Sequence, residues 1–445
     1  MAAQQSTAET TTAARRDLEF GGPLGVFAIL IFSHLIVYYV WLSITYHHGA
    51  VISAGTLFSA ATWHQLTTGA TPTAYGAALY FGFLGLQLLL AWTMPGVRVE
   101  GLPVPSEGNR RYIYRCNGAA SWYATLLIVV GLHVAGLVPL TALADHLGPV
   151  LTVAVLFADI VAIVAYAATI AAHRETRMSG NVVYDFFMGA VLNPRVGSLD
   201  LKLFCEARIS WILLFLLTLS AAAKHYQVHG TLSGPMVFLV VAHGLYTNAC
   251  LKGEECIPTT WDIFHEKWGW MLIFWNLVGV PYVYCFNSYY LVVNGPIQPS
   301  PAFMVALFVL LFGAYYVWDT SQSQRNRFRM QLRGTFVRRR TFPQLPWGTL
   351  RNPRYLSTAG GGTLLVDGWW RYARKIHYTA DIVMAWTWAL ACGFGGALPY
   401  FYPVFFFVMI MHRAQRDERR CRAKYGADWD RYLELVPKRF VPFVY

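Results

Sequence analysis

Apolar residues along this chain gather into ten stretches, beginning near Leu24, Tyr75, Ala120, Pro149, Ile209, Pro235, Trp270, Pro301, Ala380 and Ala397. A helix needs about 20 mostly apolar residues to cross a bilayer, and most of the stretches meet that length. The ninth is short, and Gly393, Gly395, Gly396 and Pro399 break it from the tenth, so a re-entrant hairpin and two full spans both fit. The pattern predicts an all-α, polytopic membrane protein with about ten transmembrane helices. Segments one to eight follow one another through loops of modest length without an internal repeat, which argues against an inverted-repeat transporter. From Ser321 to Thr379 the chain carries twelve Lys and Arg residues, Pro343, Pro346, Pro353 and a glycine run at Gly360 to Gly362, too long and too basic for a simple turn. After His412 a charged helix is predicted from Arg413 to Lys424, followed by Tyr-Gly. An amphipathic stretch then sets Trp429, Tyr432, Leu433 and Val436 on one face. These parts predict a cytoplasmic C-terminal lobe resting on the membrane. Three regions result: a disordered tail over 1–20, eight membrane helices over 21–320, and a C-terminal part over 321–445.

Charge fixes the orientation. With these segments, every Lys and Arg except Lys224 falls on one side, and basic short loops stay in the cytoplasm, so both termini are expected there. Only 13% of residues are charged and 56% are hydrophobic, against roughly 25% charged in soluble proteins. The net charge of +12 follows the cytoplasmic loops, so lipid rather than nucleic acid is the expected partner surface. The first 20 residues lack the basic and apolar regions of a signal peptide. All seven cysteines lie in membrane segments or cytoplasmic loops, so structural disulfides are not expected. No Cys/His spacing suggests zinc, and no metal site is expected.

Several constellations could carry chemistry. Arg325 and Arg329 stand four apart on a helix leaving the eighth segment, and forked guanidiniums suit a phosphate. Basic residues at this edge also meet lipid headgroups. Trp370, Arg374, His377 and Asp381, spaced 4, 3 and 4, are expected to form one helical stripe that could hold a ribose and an amide, or merely anchor a helix end. Arg413, Asp417, Arg420 and Lys424 line a second stripe. Asp-to-Arg pairs within the helix account for part of it, and the surplus of arginine beside a membrane cleft could bind a polyphosphate. Inside the membrane, Asp159, His133 and His243 are ionisable groups of the kind that mark function, although a lone His there more often makes an interhelical hydrogen bond. The sixth segment adds Tyr246, then Glu254 and Glu255 at its cytoplasmic mouth. A tyrosine at this depth is either an anchor or a proton donor. There is no GxGxxG after a strand and no Walker loop, so any nucleotide binds without a Rossmann domain.

The segments NACLKGEECIPTTWDIFHEKWGWMLIFWNLVGVPYVY, LLVDGWWRYARKIHYTAD and HRAQRDERRCRAKYGADWDRYLELVPKRFVPFVY resemble the signatures of the sterol reductase family. The likeness begins at GLPVPSEGNRRYIYRCNG, near Gly101, and extends to Tyr445, about three quarters of the chain. Members reduce sterol double bonds at C-7, C-14 or C-24(28) with NADPH. The segments YDFFMGAVLNPRVGSLDLKLFCEAR and ARKIHYTAD resemble the fungal-type C-24(28) branch, which performs the last step of ergosterol synthesis. His377 and Tyr378 stand where C-14 and C-7 reductases have an Asn-Tyr pair.

That resemblance implies a sterol substrate, NADPH, and residence in the endoplasmic reticulum membrane. It would place the sterol pocket in 21–320 and the cofactor in 321–445. Cofactor contacts would fall on Arg325, Arg329, Leu365, Trp370, His377, Tyr378, Asp417, Cys421, Arg422, Ala423, Lys424, Tyr425 and Tyr432, with Arg413 adding to the positive field. An isolated alkene is not electrophilic, so a proton must arrive before hydride. The candidate donor is Tyr246, tuned by Glu254 or Glu255, with Asp381 as the other candidate. Other readings are a C-14 or C-7 reductase, a membrane methyltransferase using S-adenosylmethionine, and a sterol sensor or transporter.

Overall fold

The computed structural model describes residues 18–336 and 341–442. The expected tail lies outside these residues apart from Leu18 to Phe20. The long helices are α1 (Gly22–His47), α2 (Ala74–Thr93), α3 (Gly118–Val134), α4 (Leu147–Ala171), α5 (Trp211–His229), α6 (Gly234–Lys252) and α7 (Phe286–Asn294). They continue with α8 (Pro301–Leu332), α9 (Ile376–Ala391), α10 (Phe401–Tyr425) and α11 (Ala427–Leu435). Among the described residues, six helical stretches are long and apolar enough to cross a membrane: Glu19–His47, Ala74–Thr93, Leu147–Ala171, Leu201–His229, Gly234–Lys252 and Pro301–Leu332.

The other four predicted segments are helical but shorter or interrupted. The third is α3, an apolar helix of 17 residues. The seventh passes through a π-turn, Trp275–Val283, where Pro281 cannot supply an α-helical N–H. The ninth, α9, has 16 residues. The tenth, α10, starts apolar and ends charged. Among the described residues three two-stranded hairpins add to the helices, all in connections: β1 (Val97–Val104) with β2 (Arg110–Cys116), β3 (Arg195–Val196) with β4 (Leu199–Asp200), and β5 (Tyr355–Ser357) with β6 (Thr363–Leu365).

The chain forms two compact units. The first comprises Met1–Tyr46, Ile52–Leu217 and Glu254–Tyr284. Its described part holds a buried ion pair, Arg208 Nη1 to Glu254 Oε1 at 2.8 Å, and the second oxygen of Glu254 accepts from the Gly118 amide at 2.6 Å. The second comprises His47–Val51, Thr218–Gly253 and Cys285–Tyr445. There α9 packs along α8 and also against α6 and α10.

Local sequence explains the ends of these helices. Ser233 and Ser300 each accept the N–H three residues on, with Pro235 and Pro301 in the first turns of α6 and α8. Gly426, at φ +51, separates α10 from α11 in a conformation that a side chain would strain. The amphipathic face predicted after it is present: Trp429, Tyr432 and Val436 are buried with Leu356 of β5, and Leu433 packs against them.

One expectation needs correction. Trp370, Arg374, His377 and Asp381 do not share a continuous helix. Trp370 lies in a 3-10 turn, Gly368–Arg371, and α9 starts only at Ile376. Between them, the Arg374 and Lys375 amides donate to Lys438 and Arg439 carbonyls at 3.0 and 2.8 Å, which takes them out of a helical ladder. Arg374 Nη1 donates to the Val436 and Pro437 carbonyls at 2.6 and 2.7 Å. Its guanidinium therefore holds protein backbone.

Candidate active site

Two neighbouring constellations in the second unit share the start of α9. The outer one is basic. Arg325 lies over the indole of Trp370 with its Cζ 4.5 Å from the ring centre, and Trp370 Nε1 anchors to the Ser321 carbonyl at 2.9 Å. Stacking of this kind orients a guanidinium, and Arg325 Nη2 also donates to Gln322 Oε1 at 2.8 Å. The His377 ring follows at 5.0 Å from Trp370, with Tyr378 4.1 Å further along. Below them Leu365 is buried with Phe328, Leu350 and Trp370.

Arg329, one turn after Arg325 and exposed, acts electrostatically on Asp417, Cys421 and Tyr425. Arg325, Lys375 and Arg413 all act on both His377 and Asp417. Cations from α8, α10 and the start of α9 thus converge on one group of residues. Asp417 is ion-paired with Lys375. Burial alone would raise its carboxyl, but Lys375, with Arg325 and Arg413, outweighs that and holds it below the ordinary carboxylate range. Burial pushes the Cys421 thiol up to about 11 and the Tyr432 hydroxyl up to about 12, so both stay protonated near neutral pH. Arg422 pairs with Asp430 at 3.3 Å, both exposed; Ala423 is exposed, and Lys424 lies over Tyr425 at 4.9 Å.

The inner constellation is aromatic and carries the acid. Tyr246 of α6 is 5% exposed, stacks on Trp318 of α8 at 4.8 Å and meets Trp388 of α9 edge-on at 5.5 Å. The Tyr246 hydroxyl and the Trp318 indole N–H both bond to Asp381. Asp381 follows His377 by one turn of α9, a rise of about 6 Å on the same face. The structure thus brings Tyr246 and Asp381 together. Glu254, in the other unit, is committed to Arg208 and the Gly118 amide.

Two contributors were not picked out from sequence. Lys375 entered only within the count of basic residues from Ser321 to Thr379, and Trp318 was not singled out. The Asp319 next to Trp318 was a usable signal, since a carboxylate there needs a partner. It has one in Lys252, at 2.9 Å.

A dinucleotide suits the outer cleft on an observation independent of its charge. His377 is 4% exposed, and its Nδ1 has no hydrogen-bonding partner among the described residues. Buried polar atoms are normally paired, so this nitrogen is open to a bound polar group.

The chain matches the model of the "Ergosterol biosynthesis ERG4/ERG24 family" over residues 14–445, further than the motif likeness alone. It is 45% identical over 436 residues to a Delta(24(24(1)))-sterol reductase of Gibberella zeae, covering 96% of this chain and 73% of that one. Delta(24(24(1)))-sterol reductase erg4A of Aspergillus fumigatus is 43% identical, with 96% and 92% covered. A Delta(14)-sterol reductase of Methylotuvimicrobium alcaliphilum is 39% identical, with 92% of each chain covered.

Proposed function

The chain belongs to the ergosterol biosynthesis ERG4/ERG24 family, and from that premise we propose that it reduces the C-24(28) double bond of a sterol side chain with NADPH, the last step of ergosterol synthesis. The observation that carries this reading is the single face of α9 that sets His377, in the basic cleft, one turn from Asp381, in the acid pair. Proton and cofactor are thereby supplied from adjacent turns of one rigid element. The enzyme works in the endoplasmic reticulum membrane, with both termini in the cytosol.

Arg325, Arg329 and Arg413 hold the phosphates, and Trp370, His377 and Tyr378 hold the nicotinamide end. Asp417, kept ionised, fixes Lys375. NADPH, when bound, supplies hydride from C-4 of its nicotinamide. The Tyr246 hydroxyl delivers a proton to C-28 of the methylene, which leaves a tertiary cation at C-24. Asp381 orients that hydroxyl and replaces its proton, and it stands beside Tyr246 where Glu254 or Glu255 was expected to tune it. Trp318 and Trp388 keep water from the cation.

The similarity to a Delta(14)-sterol reductase favours C-14 reduction as the second reading, with the same donor and cofactor residues. Purified protein supplied with NADPH and either a 24(28)-methylene sterol or a Δ14 sterol decides between them by mass spectrometry of the products. Loss of the side-chain double bond is expected. Reduction of the Δ14 sterol alone would establish the second reading, and no turnover of either would sink both.

A further inference from the structure

Two arginines of the first unit stand directly opposite each other. Arg98 of β1 is in register with Arg115 of β2, and both are exposed. Residues so placed share one face of the ladder with Cβ atoms about 5 Å apart, where like charges repel. The two acids of this hairpin are engaged elsewhere, Glu100 with Arg111 at 3.7 Å and Glu107 with the Tyr112 hydroxyl. Arg115 is also pinned. Its Nη1 and Nη2 donate to the Trp92 and Met94 carbonyls at 2.8 and 2.7 Å, at the end of α2. A guanidinium has five N–H groups, so it keeps donors for a further partner.

Arg115 also lines a crevice of about 30 Å³, whose wall includes Trp92, Ser198, Asp200 and Arg208. A water-sized group needs roughly 10–15 Å³, so one or two small polar atoms fit. Asp200 on this wall is ion-paired with Arg195 Nε at 3.4 Å. Arg208 is 2% exposed and gives its Nη1 to Glu254 and its Nη2 to Asn117, while its Nε has no hydrogen-bonding partner among the described residues. The crevice thus holds a buried donor, and its rim two repelling cations. A water could accept from Arg208 but would leave the repulsion as it stands. A phosphate answers both, with oxygens to reach in and a negative charge to set between the guanidiniums. The level of the site says where that phosphate comes from. Only Met94, Pro95 and Gly96 separate β1 from the membrane helix α2, and Trp92, 54% exposed, is an aromatic of the kind found at headgroup depth. This is the side predicted to face the cytosol, where anionic lipids are concentrated.

We propose that Arg98 and Arg115, with Arg208 in the crevice beside them, hold the phosphate of one anionic phospholipid of the cytoplasmic leaflet. The lipid clasps the β1–β2 hairpin to the end of α2. A choline headgroup brings its own fixed cation towards the arginines, so the site favours an anionic headgroup over a zwitterionic one. The proposal is independent of the reductase reading above.

The test titrates the full chain in detergent with phosphatidylserine, phosphatidylcholine or inorganic phosphate and counts bound molecules by native mass spectrometry. The wild type should retain one phosphatidylserine about tenfold more tightly than phosphatidylcholine, and equimolar inorganic phosphate should not displace it. Arg98→Ala should weaken that lipid about tenfold, the scale of one charge-assisted hydrogen bond. Arg110→Ala removes the same charge from the same hairpin, about 17 Å along β2 from Arg115, and should change the affinity less than about twofold. A folding control comes from Arg98→Glu, which abolishes lipid retention but sets opposite charges across the ladder, so its thermal unfolding in lipid-free detergent should not fall below that of the wild type. Equal retention of the two lipids, or equal losses in Arg98→Ala and Arg110→Ala, would mean diffuse attraction and overturn the clasp. Displacement by inorganic phosphate would assign the site to a free anion instead of a lipid, and a lowered unfolding temperature for Arg98→Glu would remove the repulsion on which the site rests.

Discussion

Tyr246 owes its environment to three neighbours, and each sets a different property. Trp318 and Trp388 wall it from water, and Asp381 fixes its hydroxyl. Tyr246→Phe should therefore keep NADPH affinity while turnover falls at least about 100-fold, the low end of general-acid contributions; near-normal turnover removes Tyr246 from the role. Arg329→Ala should do the reverse. A charge-assisted hydrogen bond is worth about 1.5–3 kcal/mol, so NADPH affinity measured by calorimetry should weaken roughly 10- to 100-fold with folding intact. Asp417 adds a pH dependence whose sign follows from its depressed carboxyl. Its contribution to the lobe is complete above the unfolded value of 3.8 and is lost as acid carries the pH down through the folded value. Thermal unfolding should be insensitive to Asp417→Asn at low pH and sensitive to it at neutral pH. As candidates, Arg325, Arg329 and Tyr246 were legible in the sequence because their chemistry and spacing single them out. Lys375 and Trp318 were not, because their partners lie on other elements and only packing brings them together.

At the scale of elements, the helices were readable wherever one period ran unbroken. α8 carries Arg325 and Arg329 on one face, α10 carries Arg413, Asp417 and Arg420, and the apolar stripe of α11 is buried as its spacing implies. The reading failed between Trp370 and Ile376, where the sequence keeps a helical spacing but the backbone bonds elsewhere. Side-chain periodicity cannot register a competing backbone partner some sixty residues away. The docking of α11 is itself testable. Trp429 is 4% exposed within the cluster that joins α11 to the β5–β6 hairpin, and truncating a buried Trp to Ala costs about 3–5 kcal/mol. Trp429→Ala should lower the melting temperature and weaken NADPH binding while leaving sterol binding unchanged. Unchanged melting would show that α11 is not held by this cluster.

For the whole molecule, the distribution of charge makes the most direct claim. Every Lys and Arg but Lys224 lies on the predicted cytoplasmic side, so tags at both termini should be removed when sealed microsomes are treated with protease. Protection of either tag would invert or break the proposed topology. Six spans were legible because hydrophobic runs report length directly, whereas the π-turn at Trp275–Val283 and the hairpins depend on local bonding that hydropathy does not record. The pairing of Arg374 and Lys375 with residues 436–439 also bears on how the enzyme is made. During translation α9 emerges well before its latch, so the newborn cleft stands unfastened until those later residues arrive. A message cut short ahead of Val436 would yield a protein that enters the membrane yet lacks the fastening of the proposed nucleotide site, a lesion that assays of abundance alone would overlook.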